Sequence, residues 1–78
     1  SPDRALAAEA AYRALRVRHR DGELSTAEAI DQLAGLAASW RGDETELKTL
    51  RFLAQLEGQR EYTAYQQYLR NTAEVERN

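Results

Sequence analysis

The residues that could carry chemistry in this chain are few, and each lacks the company its chemistry requires. His19 is the one histidine among 78 residues, and there is no cysteine. A structural zinc site draws chiefly on Cys and His ligands, so no metal site is expected. His19 is read instead as a side chain at a helix C-terminus, where positive charge is favoured. Without cysteine there is no disulfide and no thiolate nucleophile. Carboxylates are plentiful, but Glu44, Glu46, Glu57, Glu61, Glu74 and Glu76 fall on expected helix ends and polar faces. A general acid–base pair needs a pocket that shifts one of the two pKa values, and so small a helical chain has little room for one. Ser25 has no histidine nearby in sequence to activate it, and the four glycines are scattered rather than gathered into a phosphate loop. The expectation is a protein that is not an enzyme and holds no metal or cofactor.

Two charge patterns remain. Arg13, Arg16, Arg18 and Arg20 cluster around His19. Read functionally, they form a phosphate-contacting helix end. Against that reading, the arginines fall on several sides of their helix, and the whole chain carries a net charge of -2. A nucleic-acid module shows a basic excess across the domain, so nucleic acid is the weakest partner class. Further on, Lys48, Arg51 and Gln55 follow a +3, +4 spacing and form a polar stripe along one helix.

The tripeptide Arg41-Gly42-Asp43 is the one that extracellular adhesion proteins show to their receptors. An adhesive copy needs a protruding loop. Here Gly42 falls just after the last periodic apolar residue of one helix, Trp40, where a helix-ending glycine belongs. Asp43 falls at the N-cap of the next helix, with Glu44 and Glu46 in its first turn. The tripeptide is read as a joint.

The elements that position these residues follow from short-range signals. Pro2 suits a first helical turn, with Ser1 before it as a cap. "RALAAEAAYRALRVRHR" is rich in strong helix formers and carries Leu6, Tyr12, Leu15 and Val17 among alanines. Asp21-Gly22 ends that helix. Ser25-Thr26-Ala27-Glu28 is a capping box, followed by Ile30, Leu33, Ala34, Ala37 and Trp40 at spacings of three and four. Gly35, costly inside a helix, suggests close approach of a neighbour. A third helix from Glu44 to about Glu57 places Leu47, Leu50, Leu53 and Ala54 on one face, with Phe52 and Leu56 widening it. A turn is expected at Gly58, and a fourth helix from about Arg60 to Val75 carries Tyr62, Tyr65, Tyr68, Leu69 and Thr72. Glu76-Arg77-Asn78 are expected to fray.

No strand pattern occurs. The expected fold is all-α: one domain over residues 1–78, with four antiparallel helices arranged as two hairpins, 3–40 and 43–76. The chain has no methionine, which suggests a piece of a longer protein. No apolar run approaches the roughly 18 residues of a membrane span. The preference for alanine and arginine over lysine is that of a GC-rich bacterial coding sequence, and it leaves cytoplasm and periplasm equally open.

Two helical hairpins of about 35 residues fit the period of the tetratricopeptide repeat. The second unit, "LKTLRFLAQLEGQREYTAYQQYLRN", resembles that repeat: Leu50, Leu53 and Ala54 stand at its large, large and small positions, Tyr62 at the aromatic opening its second helix, and Leu69 at a later large position. The turn is shorter than the pattern, Tyr65 stands near a position that prefers alanine, and the terminal proline is missing. "SWRGDETELKTLRFLAQL" is also similar to repeat arrays of alphaproteobacterial proteins. The resemblance implies a protein–protein interaction scaffold whose first helices line a groove, so that Lys48, Arg51 and Gln55, with Arg13 and Arg20, would meet an acidic peptide or a carboxylate. The rival reading is a self-association module in which Tyr62, Tyr65, Tyr68 and Leu69 are the interface of a homo-oligomer. The hairpins would stack as repeats in the first case, or close into a small bundle.

Overall fold

The computed structural model describes residues 2–77, so the cap expected at Ser1 and the end at Asn78 lie outside the described residues. Three helices follow one another: α1 (Pro2–Arg20), α2 (Thr26–Ser39) and α3 (Glu44–Arg77). The chain is all-helical as expected, with no strand among the described residues.

The joints form where local chemistry places them. α1 stops at Arg20, and Gly22 takes a positive φ of 80°, a conformation that costs glycine alone almost nothing. Ser25 caps α2 in both directions: its hydroxyl accepts from the Glu28 N–H at 3.1 Å, and its own N–H donates to the Glu28 carboxylate at 3.1 Å. The Ser25 backbone N–H first, and the Ser25 side chain second, hold the Glu28 carboxyl below its ordinary range, with the nearby Arg18 charge adding to them.

The Arg41-Gly42-Asp43 segment joins α2 to α3. Trp40 ends α2 with extended backbone and donates its indole N–H to Asp43 at 2.7 Å. Gly42 has φ 95° and donates its N–H to the Glu46 carboxylate. Asp43 accepts from the Glu46 N–H at 3.2 Å, and Arg41 pairs with Glu46. Every residue of the tripeptide is engaged in turning the chain.

α2 lies against both neighbours, more extensively against α3 than against α1. The core gathers Tyr12 and Leu15 of α1, Leu24 of the first joint, Ala29, Ile30 and Leu33 of α2, and Phe52 and Leu56 of α3. Tyr12 and Phe52 meet edge to face at 6.4 Å, a favoured geometry for aromatic pairs.

Four expectations are corrected. The turn at Gly58 does not form, so the third and fourth helices, and with them the hairpin 43–76, are one continuous α3 of 34 residues. Gly58 keeps a φ below zero, and its flanks Glu57, Gln59 and Arg60 are good helix formers, so one glycine does not break the helix. The core face of α3 is Thr45, Thr49, Phe52 and Leu56, with Leu53 half-buried against it, rather than Leu47, Leu50 and Ala54, which are exposed. Thr49 is buried without penalty because its hydroxyl donates to the Thr45 carbonyl at 2.7 Å. A Cβ placed on Gly35 would meet nothing within 4 Å, so no neighbour approaches it. Finally, α3 extends to Arg77, two residues past the expected end near Val75.

The continuity of α3 determines the molecule's shape. The described residues extend 62 × 24 × 14 Å. Pro2 and Ala5 at the start of α1 border Asp43 and Glu44, whereas His19 and Arg20 at its end border Leu56 and Gln59. α1 therefore runs beside the first half of α3 in the same direction and stops near Gln59. Among the described residues none after Leu56 is buried. From about residue 60 to residue 77, α3 projects as an arm of roughly 27 Å at 1.5 Å per residue.

Candidate functional site

The parallel course of α1 and the first half of α3 leaves a groove between them, and the groove is basic. Its larger part, an open space of about 620 Å³, is lined by Arg13, Arg16, His19 and Arg20 from α1 facing Phe52, Gln55 and Gln59 from α3. An adjoining recess of about 250 Å³ shares Arg16, Phe52 and Gln55 and adds Lys48 and Arg51. The residues expected to face a groove, Arg13, Arg20, Lys48, Arg51 and Gln55, are thus brought to one side of the molecule. Tyr62, Tyr65, Tyr68 and Leu69 stand elsewhere, exposed along the arm.

Packing orders the middle of this groove. The Arg16 guanidinium sits 5.0 Å from the Phe52 ring centre and 5.9 Å from that of Tyr12, and it donates to the Tyr12 hydroxyl at 3.2 Å. Stacking of this kind holds a guanidinium flat while leaving its charge free for a ligand. His19 meets Phe52 edge to face at 6.0 Å, and its ring Nε2 lies 3.2 Å from the Thr26 hydroxyl. The histidine is therefore half-buried and tied to the start of α2.

The rim cations divide into two kinds. Arg13 pairs with Glu9 at 2.8 Å and Arg20 with Asp21 at 3.0 Å, both at exposed sites. Arg16, Lys48 and Arg51 enter no ion pair among the described residues. Exposed pairs contribute little and exchange readily, so all five charges are accessible to an anion in the groove.

Sequence reasoning spread the arginines of α1 over several sides of the helix, and this is corrected. Arg13, Arg16 and Arg20 share the groove face, and only Arg18 departs to pair with Glu23 at 3.5 Å. The signal was present in the spacing, since 13, 16 and 20 follow the same +3, +4 rule as 48, 51 and 55. Phe52 was expected at the margin of the core. It is a core residue whose ring also floors the groove.

Among the described residues no group of three His, Asp or Glu side chains is placed to hold a metal ion, and no helix is long and apolar enough to cross a membrane. No family model, curated protein or solved structure matches this chain.

Proposed function

We propose that the chain is a non-catalytic protein-interaction module that binds an acidic segment of a partner protein in the groove between α1 and α3. The observation that carries this reading is the convergence of Arg13, Arg16, Arg20, Lys48 and Arg51 on one groove with an aromatic floor at Phe52. Three of the five cations have no acidic partner among the described residues. In a protein whose net charge is -2, that local excess favours a small acidic ligand over a long polyanion.

The tetratricopeptide-like reading is supported in reduced form. α1 and the first half of α3 run side by side with α2 packed against both, as the first helices of two successive repeats do around the helix between them. The last helix of such an array would be residues 60–75, which here continue α3 instead of folding back. Self-association is a second reading, favoured by the exposure of Tyr62, Tyr65, Tyr68 and Leu69.

The groove is tested by titrating a glutamate-rich peptide and a neutral peptide of equal length against the chain and against the Lys48→Glu/Arg51→Glu double variant, with circular dichroism to confirm an unchanged fold. The proposal expects binding of the acidic peptide alone, weakening as salt rises and lost in the double variant. Unchanged binding in a folded double variant overturns it. Tighter binding of an oligonucleotide under the same conditions would reassign the groove to nucleic acid.

A further inference from the structure

The arm of α3 carries a surface that the groove does not use. At 100° per residue, the core residues Thr45, Thr49, Phe52 and Leu56 occupy one side of the helix, and a second stripe occupies the opposite side within an arc of about 100°. In the packed half this stripe is Leu47, Leu50, Ala54 and Gly58. In the arm it continues through Glu61 to Tyr65, Tyr68, Thr72 and Val75. Leu47 is 53% exposed, Leu50 43%, Tyr65 57%, Tyr68 62% and Val75 74%. The two leucines that left the core belong to the same face as the two tyrosines.

We propose that this stripe is a homodimer seam in which α3 of one chain lies antiparallel to α3 of a second copy, with Glu61 near the two-fold axis. Direction and register follow from residue size. An antiparallel pair centred on residue 61 sets Gly58 and Ala54 of one chain opposite Tyr65 and Tyr68 of the other. It also sets Leu47 and Leu50 opposite Val75 and Thr72. The tyrosines then face the smallest residues of the seam while aliphatic residues and a threonine meet at its ends, and both halves of the contact are identical, as a two-fold interface requires. A parallel pair would set glycine against glycine and tyrosine against tyrosine, leaving holes at one end and crowding at the other.

Three further observations favour a second copy as the occupant. The stripe faces away from α1 and α2, so both bodies stand clear of the seam. The arm from Glu57 to Arg77 holds three arginines and four glutamates, a near balance that neither repels a copy nor selects a strongly charged partner. Tyr65 and Tyr68 each hold about 100–150 Å² of exposed surface at these fractions. With the aliphatic residues, counted for both chains, the seam buries on the order of 1,000 Å², the lower end of specific interfaces. A dimer of moderate, concentration-dependent affinity follows. The arm also has reason to seek cover. Most helical stability in proteins comes from packing of an apolar face rather than from propensity, and the arm packs against nothing while carrying threonines and tyrosines, which are not strong helix formers.

Glu61 is the charge at the centre of the stripe, with Glu57 and Glu76 at the edges of the same arc. In the proposed register it faces its own copy, and none of the residues set opposite it is a cation. Its removal should therefore tighten the dimer: Glu61→Leu is expected to lower the dissociation constant by about tenfold or more, read by sedimentation equilibrium. The register is tested by distance. The chain has no cysteine of its own, so Arg60→Cys and Arg77→Cys each carry a single spin label. An antiparallel seam places the labels at Arg60 close together and those at Arg77 about 48 Å apart. A chain that stays monomeric at millimolar concentration overturns the seam, as does a dimer with both label pairs close together. Neither result bears on the groove, because acidic-peptide binding is measured separately in dilute monomer.

Discussion

Gly58 offers a test whose sign, and not only its size, depends on the course of α3. In the structure it sits inside the helix with φ below zero, and a Cβ built on it meets nothing within 4 Å. Gly58→Ala therefore adds no clash and removes the backbone entropy that glycine loses in a helix, a gain of about 0.5–1 kcal/mol for the helical state. One kcal/mol is about a fivefold change in an equilibrium at room temperature. Because no described residue after Leu56 is buried, the arm opens on its own rather than with the core. The gain should appear as stronger helical circular dichroism and as up to about fivefold slower amide exchange in residues 59–70, with little change in the urea midpoint of the core. The assay is run in dilute protein, where the arm is unpaired. Had the chain turned at Gly58 through positive φ, alanine there would be strained and would destabilise. Faster exchange in the arm, or a loss of helix, would refute a continuous α3.

Three other outcomes follow from the packing. Leu56 is fully buried in the core, so Leu56→Ala should cost about 2–5 kcal/mol in chemical denaturation. That is a large share of the roughly 3–9 kcal/mol expected of the packed residues 2–59. Gly35→Ala should raise the urea midpoint, with a gain of about 0.5–1 kcal/mol, since the position is helical and open. The carboxyl of Glu28 is held below its ordinary value of 4.5 by the Ser25 N–H and hydroxyl. Its folded pKa is depressed, so its contribution is complete above that value and is lost as pH falls through the folded pKa. Glu28→Gln should accordingly flatten the loss of stability between neutral pH and about pH 3, read as the urea midpoint at each pH.

What could be read from sequence was local. The capping box at Ser25, the stop at Gly22 and the joint at Arg41-Gly42-Asp43 each depend on side chains within four residues, and the structure forms all three. The errors arose where a local signal had to be weighed against packing elsewhere. Gly58 resembles a helix stop, but stopping requires a backbone that gains from turning, and no later apolar face is positioned to repay a fold-back. Leucines are the commonest apolar residues in the packed half of α3, yet the face that packs is the one carrying Phe52 toward Tyr12, with Thr45, Thr49 and Leu56 beside it. No count of hydrophobic residues reveals that a buried threonine can satisfy its hydroxyl on its own helix. The groove was half legible, because the +3, +4 spacing was noticed in α3 and missed in α1. That the two stripes face each other depends on α1 and α3 running in the same direction, which no short window contains.

The most direct test of a continuous, projecting α3 is one intramolecular distance. Spin labels on Lys48→Cys and Arg70→Cys, diluted into excess unlabelled chain to suppress contacts between copies, report on the helix between them. Twenty-two intervening steps of unbroken helix place the two backbone positions about 33 Å apart. A chain folded back at Gly58 would bring them to about 10 Å, the spacing of packed helices, and would contradict both the arm and the seam built on it.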